Sequence, residues 1–302
     1  MADSFRDNFE FIIIVGSPRS GTTWLQYALG GHPQIASHGS VELRHFSHYL
    51  APLLAAWDEE YDNLKAERWE QGLPTLWDEK QFEEFLDGFT QSVYQPLVEK
   101  TPGATHILDK YPGYTFHMDA INRVLPKVKF IHLIRDGRDV ILSMQSAKQR
   151  VGFGTDNIWR ASQEWVDHVS AARETGAKLG AAHYLEIRYE DLVASPEELL
   201  TQVYDFCGVT LENADLSEIV GKINLDRQRL SSANPDRNTA NDRLWESAWG
   251  YRDRYVVEEI TGALLRQLQY TDTADWWARS STERLKISAW NLLRKIKRGV
   301  GR

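Results

Sequence analysis

The sequence contains a single cysteine, Cys207, in 302 residues, which excludes an intramolecular disulfide and a metal centre built on several thiolates. Glycine and proline number only 20 and 10, so collagen-like and low-complexity chains are excluded as well. Long apolar runs are also missing, because the run at residues 11–15 is too short for a signal peptide or a membrane span. These absences predict a soluble protein of a reducing compartment, the cytoplasm.

Charge is distributed unevenly along the chain. Residues 284–302 carry seven Lys or Arg and no acid, while the net charge of the whole chain is −8, which leaves −15 for residues 1–283. An acidic body argues against nucleic-acid binding, which needs a broad basic face. Any bound anion must therefore be held by local groups.

The basic segment at 284–302 also has apolar residues at helical spacing, which predicts an amphipathic C-terminal helix. Two interpretations stay open for it. One is peripheral attachment to an anionic membrane surface. The other is docking on the acidic body of the same chain or on another subunit, so an oligomer is possible. The apolar residues of the pattern are Leu285, Ala289, Leu292, Leu293, Ile296 and Val300.

Three short apolar runs, at residues 11–15, 129–134 and 183–188, are predicted to be strands. The first two are nearly unbroken, as expected for strands covered on both faces of a parallel sheet. Each is followed by a segment of helical character, at residues 22–29, 139–149 and 195–206. This alternation predicts an α/β fold with a P-loop-type parallel sheet flanked by helices.

Residues 45–97 form a long insertion that is predicted to be helical or irregular and is rich in aromatic and acidic residues. No internal repeat and no linker rich in Pro, Gly or Ser is present. We therefore predict one domain at residues 1–283, with helical insertions, followed by the helix at 284–302.

The segment Gly16-Ser-Pro-Arg-Ser-Gly21, followed by Thr22 and Thr23, comes directly after the first strand and opens a helix. Its two glycines have the G-x4-G spacing of a phosphate-binding loop, in which backbone N–H groups and a helix N-terminus point at an anion. Nucleoside triphosphatases carry Lys where this chain has Thr22. This difference disfavours transfer of a terminal ATP phosphate.

A second candidate anion site, Arg135-Asp-Gly-Arg-Asp139, follows the second predicted strand. If a helix begins near Asp136, Ser143 lies two turns further on, within reach of an anion at Arg135. The planar fork of Arg suits phosphate. Two anion sites at neighbouring strand ends predict a bisphosphorylated nucleotide as ligand.

The loop at residues 17–24, with the His32-Pro33 pair after it, resembles the 5′-phosphosulfate loop of sulfotransferases that use 3′-phosphoadenosine-5′-phosphosulfate (PAPS). The resemblance is strongest to the tyrosylprotein branch and its bacterial relatives. It implies PAPS as donor, the desulfated nucleotide PAP as product, and no metal. It also implies that Arg135 and Ser143 bind the 3′-phosphate. The loop residues that it assigns to the cofactor are Ser17, Arg19, Ser20, Gly21, Thr22, Thr23 and Trp24.

Two further segments match this family less closely. Tyr189, in Arg188-Tyr-Glu-Asp-Leu192, resembles a tyrosine that touches the nucleotide. Ser231 and Ser232 resemble a Ser-Ser-Asp loop that closes over it, although the sequence departs from that pattern soon afterwards.

Transfer of a sulfuryl group needs a base for the acceptor proton and cations where charge develops on the leaving oxygen. By the resemblance, Lys110 and Arg19 are the candidate cations and Glu42 is the candidate base. Lys110 lies twenty residues before Phe130, the spacing found in the tyrosylprotein branch. Lys100 is the alternative to Lys110, and His38 or His106 are the alternatives to Glu42.

The expected function is therefore in-line transfer of a sulfuryl group from PAPS to an acceptor hydroxyl or amine. A small-molecule, carbohydrate, lipid or peptide-tyrosine acceptor remains open. One alternative is a kinase-like nucleotide phosphotransferase, which would need magnesium. The other is a non-catalytic nucleotide-binding module, in which changes at Glu42 and Lys110 would leave binding intact.

Overall fold

Five parallel strands form one sheet in the order β2-β3-β1-β4-β5. The register places Ile14 of β1 opposite Lys110 of β3 on one side and Ile131 of β4 on the other. The strands are β1 Glu10–Val15, β2 Ile35–Ser37, β3 His106–Lys110, β4 Lys129–Ile134 and β5 Tyr184–Arg188.

This computed structural model describes residues 4–39, 41–211, 215–222 and 243–299. The chain divides into two structural units. The first unit contains the whole sheet and comprises Met1–Gly16, Ser20–Ile134 and Ser170–Ala240; the second comprises Ser17–Arg19, Arg135–Val169 and Asn241–Arg302.

Helices connect the strands of the sheet, and the second unit also contains helices. In chain order they are α1 Phe5–Asn8, α2 Thr22–Gly30, α3 Ala51–Lys65, α4 Glu79–Lys100, α5 Met118–Val124, α6 Gly137–Val151, α7 Ile158–Leu179, α8 Tyr189–Ala194 and α9 Pro196–Cys207. Shorter elements are a π-helix at Phe46–Leu50 and 3₁₀ helices at Leu73–Thr75 and Pro112–His117. Three helices come last, at Trp245–Ala248, Tyr251–Gln267 and Ser281–Gly299.

The sheet is covered on both faces because successive side chains of a strand point to opposite sides. Phe11, Ile13 and Val15 of β1 belong to a core that they share with α3, α4 and α5, whereas Ile12 and Ile14 belong to a core shared with α2, α8 and α9. Each of these strand residues is at most 1% exposed. Burial on two faces therefore explains why β1 reads as a continuous apolar run.

The second unit is organised around a buried arginine. Arg138 forms a bidentate pair with Asp136, with a shortest N–O distance of 2.6 Å, and donates to the carbonyl of Tyr270 at 2.8 Å. Its guanidinium also lies over the rings of Trp245 and Trp276. These contacts fix the start of α6 within this unit.

The predicted fold class, a parallel sheet flanked by helices, is confirmed. The three predicted strands and the helices after them are present, with ends that differ by at most two residues. Two strands were not predicted, β2 and β3. Ile35–Ser37 is only three residues long, and His106–Lys110 carries three ionisable side chains, so neither shows the apolar run of a buried strand.

The C-terminal helix begins at Ser281, three residues before the predicted start, and residues 300–302 lie outside the described part of the chain. None of the helices within the described ranges has both the length and the hydropathy to cross a membrane. The prediction of one domain at 1–283 stays a prediction, because a compact unit of structure need not be a unit that folds alone.

Candidate functional site

The glycine loop between β1 and α2 depends on backbone conformations that favour glycine. Gly16 and Gly21 have φ of 145° and 97°, and Arg19 between them has φ of 73°. A side chain on Gly16 would lie 2.6 Å from the carbonyl oxygen of Leu133, and one on Gly21 would lie 2.5 Å from the ring of Tyr189. Both positions are therefore restricted by close approach as well as by φ.

Two polar atoms near this loop are buried without a hydrogen-bond partner among the described residues. They are Oγ of Ser20 and Nε1 of Trp24. Buried donors are normally satisfied, so an orphaned pair beside a helix N-terminus fits a ligand that supplies acceptors. Thr22 is buried and Thr23 is exposed at the start of the same helix. The first unit thus holds a cradle suited to an anionic group.

Tyr189 is only 7% exposed, and its ring packs against Gly21. It begins α8, directly after β5. The structure therefore brings this predicted cofactor residue to the glycine loop, where its packing sets the shape of the loop.

The second unit brings together Arg19, Arg135 and Ser143. Nε of Arg19 donates to Oγ of Ser143 at 3.1 Å, and Nη1 of Arg135 donates to the carbonyl of Arg19 at 3.4 Å. Ser143 lies in α6, whose first turn is capped by the carboxylate of Asp136. The expected helix start near Asp136 is thus observed. Arg19 is contacted by both partners, at its guanidinium by Ser143 and at its backbone carbonyl by Arg135.

Trp165 supports the same cluster from α7. Its Nε1 donates to the carbonyl of Arg135 at 3.2 Å, and its ring leaves no room for a side chain on Gly137. Trp165 is fully buried, so it holds the turn between Arg135 and α6 in one conformation. No sequence motif singles out this residue, because an isolated tryptophan in a helix has no pattern of its own.

Glu42 and Lys110 form an ion pair within the first unit, with Nζ 2.7 Å from Oε1. Lys110 ends β3 and is the register partner of Ile14, two residues before the glycine loop begins. Its side chain is 2% exposed, whereas that of Glu42 is 36% exposed. The carboxylate is thus held by a buried cation and still reaches solvent.

A buried polar network lies directly behind this pair. Asp109 precedes Lys110 in β3, and its Oδ2 accepts hydrogen bonds from the hydroxyls of Tyr94 and Tyr114, each at 3.0 Å. Its Oδ1 accepts from the backbone N–H of Lys110 at 2.7 Å. Burial raises the pKa of Asp109, and burial also raises the pKa of both tyrosines, which therefore keep their protons and donate them.

His45 connects the network to the segment that carries Glu42. Its Nδ1 lies 3.2 Å from the hydroxyl of Tyr114. Because Tyr114 donates its own proton to Asp109, the hydroxyl oxygen accepts from Nδ1–H. Nε2 of His45 is then an acceptor, buried and without a partner among the described residues. Burial lowers the pKa of His45 to about 3, so the ring is neutral.

The backbone between Glu42 and this network is unusual. Arg44 has φ of 60°, a conformation uncommon outside glycine, and the π-helix Phe46–Leu50 begins directly after His45. The guanidinium of Arg44 lies 5.0 Å from the ring centre of Tyr111, the residue after Lys110. Strained segments and π-turns concentrate at functional sites, which strengthens the case for Glu42.

The alternative candidates lie in different surroundings. His106 is at the opposite end of β3 from Lys110, about 13 Å along the strand. Both of its ring nitrogens have partners, the hydroxyl of Thr105 and the carbonyl of Cys207. His38 is exposed, and Lys100 is exposed at the end of α4.

Two of the predicted cofactor residues, Ser231 and Ser232, lie outside the described residues. In the described ranges, no three His, Cys, Asp or Glu side chains are grouped as a metal site.

A sequence profile of the Sulfotransferase family matches residues 11–213, about two thirds of the chain. The match begins in β1 and ends shortly after α9, so it includes the glycine loop, Glu42, Lys110 and the Arg135–Ser143 segment.

Curated relatives are similar at a lower level. Protein-tyrosine sulfotransferase 2 of Gallus gallus is 26% identical over 215 residues, which cover 70% of this chain and 55% of that protein. A putative protein-tyrosine sulfotransferase of Caenorhabditis briggsae is 26% identical over 251 residues, which cover 80% and 81% of the two chains. The chain thus spans about half of the first relative and most of the second.

Among solved structures, mouse sulfotransferase SULT7A1, crystallised in complex with PAP, is similar with a TM-score of 0.51. The two chains are 14% identical, and the comparison covers 94% of this chain and 93% of the mouse protein. At this identity the likeness concerns the fold alone.

Proposed function

Because the chain belongs to the sulfotransferase family, we propose that it transfers a sulfuryl group from PAPS to the hydroxyl or amine of an acceptor. One observation carries the proposal. An accessible carboxylate, Glu42, is held by a buried ammonium group, Lys110, on the strand beside the one that leads into the glycine loop. A base next to a fixed cation is the arrangement that this transfer requires.

We assign the donor nucleotide to the anion-binding groups described above. The glycine loop, with the N-terminus of α2 and the orphaned donors of Ser20 and Trp24, suits the 5′-phosphosulfate. Arg135 and Ser143 suit the 3′-phosphate, since a guanidinium and a hydroxyl both donate to phosphate oxygens. When bound, PAPS supplies the sulfuryl group and a phosphate leaving group.

Glu42 acts as the general base in this proposal. Its Oε1 is fixed by Nζ of Lys110, which leaves Oε2 to accept the acceptor's proton. The 36% exposure of the side chain lets an acceptor approach from solvent. His106 is a poor alternative, because both of its ring nitrogens are already engaged and it lies at the far end of β3.

Lys110 and Arg19 supply positive charge in the same proposal. Lys110 is almost fully buried, where a fixed charge acts more strongly than in water. Arg19 is oriented by its hydrogen bond to Ser143. Each would stabilise negative charge that develops on the sulfuryl group or its leaving oxygen.

The decisive experiment measures transfer of labelled sulfate from PAPS to a panel of acceptors, with phenols included because curated relatives are named for protein tyrosine. Glu42→Gln should lower kcat by about 100-fold or more, the usual contribution of a general base. The control Glu59→Gln changes an exposed glutamate of α3 and should leave kcat unaltered. Transfer should persist with a chelator present.

Binding of PAP, measured by calorimetry, separates the proposal from its alternatives. Ser143→Ala should weaken PAP about tenfold, whereas Ser146→Ala, one turn further along α6, should not. Turnover of ATP with magnesium, in place of sulfate transfer, would support a phosphotransferase. A non-catalytic module would bind PAP without transferring sulfate to any acceptor, and Glu42→Gln would leave its PAP binding unchanged.

A further inference from the structure

In its first part, residues 281–291, the C-terminal helix Ser281–Gly299 is fixed to the second unit by one side. Ile287 is 3% exposed, Glu283 pairs with Arg254 at 3.0 Å, and Nδ2 of Asn291 donates to the hydroxyl of Tyr255 at 2.8 Å. Arg254 is itself almost fully buried, so the pair with Glu283 is well anchored. The orientation of residues 281–291 about the helix axis is thus determined.

On the opposite side of residues 281–291, two apolar residues face solvent. Leu285 is 71% exposed and Ala289, four residues later, is also exposed. At 100° per residue, positions 285 and 289 lie about 160° from position 287, on average, around the helix. The same spacing continues in the sequence with Leu292 and Ile296, and the backbone is helical as far as Gly299. The apolar residues that repeat along the sequence, beginning with Leu285 and Ala289, are therefore not the ones that pack against the second unit.

Charge accompanies this apolar side. No acid follows Glu283, while seven Lys or Arg occur at residues 284–302. Two of them, Arg284 and Lys286, have side chains that the structure describes. Arg284 pairs with the exposed Asp275 at 3.2 Å, and the ammonium group of Lys286 lies 5.8 Å from the ring centre of Tyr251. An apolar stripe in a strongly basic helix has the composition of segments that lie in the interface of an anionic bilayer.

We propose that the C-terminal helix attaches the protein to a lipid bilayer with anionic headgroups. The basic residues are attracted to the headgroups, and the stripe that contains Leu285 and Ala289 enters the boundary with the acyl chains. The rest of the chain has a net charge of −15 and is repelled by such a surface, so the helix must supply the binding. A second copy that packs helix against helix is a poorer partner, since two helices of this charge repel each other. Docking on the acidic residues of a second copy is left as an outcome of the test. The proposal does not depend on the reaction that the protein catalyses.

Cosedimentation of the full-length protein with vesicles tests this proposal. Vesicles of phosphatidylcholine mixed with phosphatidylserine should bind the protein, vesicles of phosphatidylcholine alone should not, and added salt should release it. Leu285→Asp should lower the partition coefficient at least tenfold, about 1.4 kcal/mol. Leu76→Asp is the matched control, because Leu76 is an equally exposed leucine of the first unit, at 79%. It should bind like the unaltered chain.

Three outcomes would overturn the proposal. Equal binding to neutral and anionic vesicles would show that attraction between the basic residues and anionic headgroups does not contribute to binding. Loss of binding in Lys295→Gln/Lys297→Gln but not in Leu285→Asp would indicate a polyanion site without insertion. A dimer, seen by analytical ultracentrifugation, that Leu285→Asp dissociates would identify a second copy as the partner. Because Leu285 is exposed, its variant should unfold at an unchanged temperature, so a folding defect cannot be mistaken for lost binding.

Discussion

Lys110 and Glu42 lie 68 positions apart in the sequence and form a 2.7 Å ion pair in which the cation is buried and the anion is not. The two partners therefore depend on each other unequally. Water can solvate Glu42 if the pair is broken, but little water reaches the ammonium of Lys110. An uncompensated buried charge is costly, whereas an apolar residue in its place is often tolerated.

We therefore expect unequal losses of stability when the two partners are replaced in turn. Glu42→Ala strands the buried ammonium and should lower the free energy of unfolding by about 2 kcal/mol. Lys110→Met fills the same volume without charge and should change it by less than about 1 kcal/mol. Urea denaturation of the two variants measures the difference. Equal losses would mean that Lys110 is solvated in the absence of its partner.

Replacement of Gly21 by alanine should destabilise the protein more than the same replacement at a glycine that also has positive φ but has no atom close to the added Cβ. Gly21 and Gly180 have φ of 97° and 78°, yet a side chain meets the ring of Tyr189 at the first and nothing within 4 Å at the second. Gly180→Ala should cost about 1 kcal/mol for its φ alone. Gly21→Ala should cost more and should also weaken PAP binding. Thermal unfolding measures the stability of both variants, and calorimetry measures their affinity for PAP. If the two variants lose the same stability and bind PAP equally well, the contact between Gly21 and Tyr189 has no role in shaping the loop.

Tyr94 and Tyr114 offer a matched pair, because both donate to Oδ2 of Asp109 at 3.0 Å and both rings pack against His45. Of the two hydroxyls, that of Tyr114 also lies within hydrogen-bond distance of Nδ1 of His45, at 3.2 Å. Replacing either tyrosine with Phe should cost about 1–2 kcal/mol of stability. Only Tyr114→Phe should also lower kcat, since it releases the segment from Glu42 to His45. Initial rates with saturating PAPS test this expectation. A similar fall in kcat for Tyr94→Phe would show that the network acts through stability alone.

Stability should fall as the pH drops from 7 to 5. Burial lowers the pKa of His45 to about 3, whereas an unfolded histidine has a pKa of about 6.5. Between these values the unfolded chain binds a proton that the folded chain does not, so acid favours unfolding, by about 2 kcal/mol at pH 5 for one such group. Burial also lowers the pKa of four further histidines: His32, His106, His117 and His132.

His45→Phe should therefore reduce the pH dependence of stability, whatever its effect at pH 7. His38→Gln, at an exposed position seven residues earlier, is the control and should leave the slope unchanged. Urea midpoints at pH 7, 6 and 5 give the three slopes. An unaltered slope in His45→Phe would mean that the ring is protonated in the folded protein with no penalty.

Local patterns were sufficient for the fold class and for selecting the residues of the candidate site, whose roles stay predictions. The apolar runs of β1 and β4 result from burial on both faces. The loop from Gly16 to Thr23 has the glycine spacing that is typical of a strand-to-helix turn around a phosphate. The assignment to the sulfotransferase family, made from these motifs, is confirmed by the profile match. The roles of Glu42, Arg19 and Lys110 in catalysis stay predictions.

What only the tertiary structure decided are the pairings. The sequence determined that Glu42, Lys110, Arg19 and Ser143 are present and that a basic apolar helix ends the chain. The fold decided that Lys110 meets Glu42, that Arg19 meets Ser143, and that Leu285 is exposed while Ile287 is buried. The physical reason is that periodicity reports one element at a time, whereas contacts between distant residues depend on strand register and side-chain packing, which no single segment encodes.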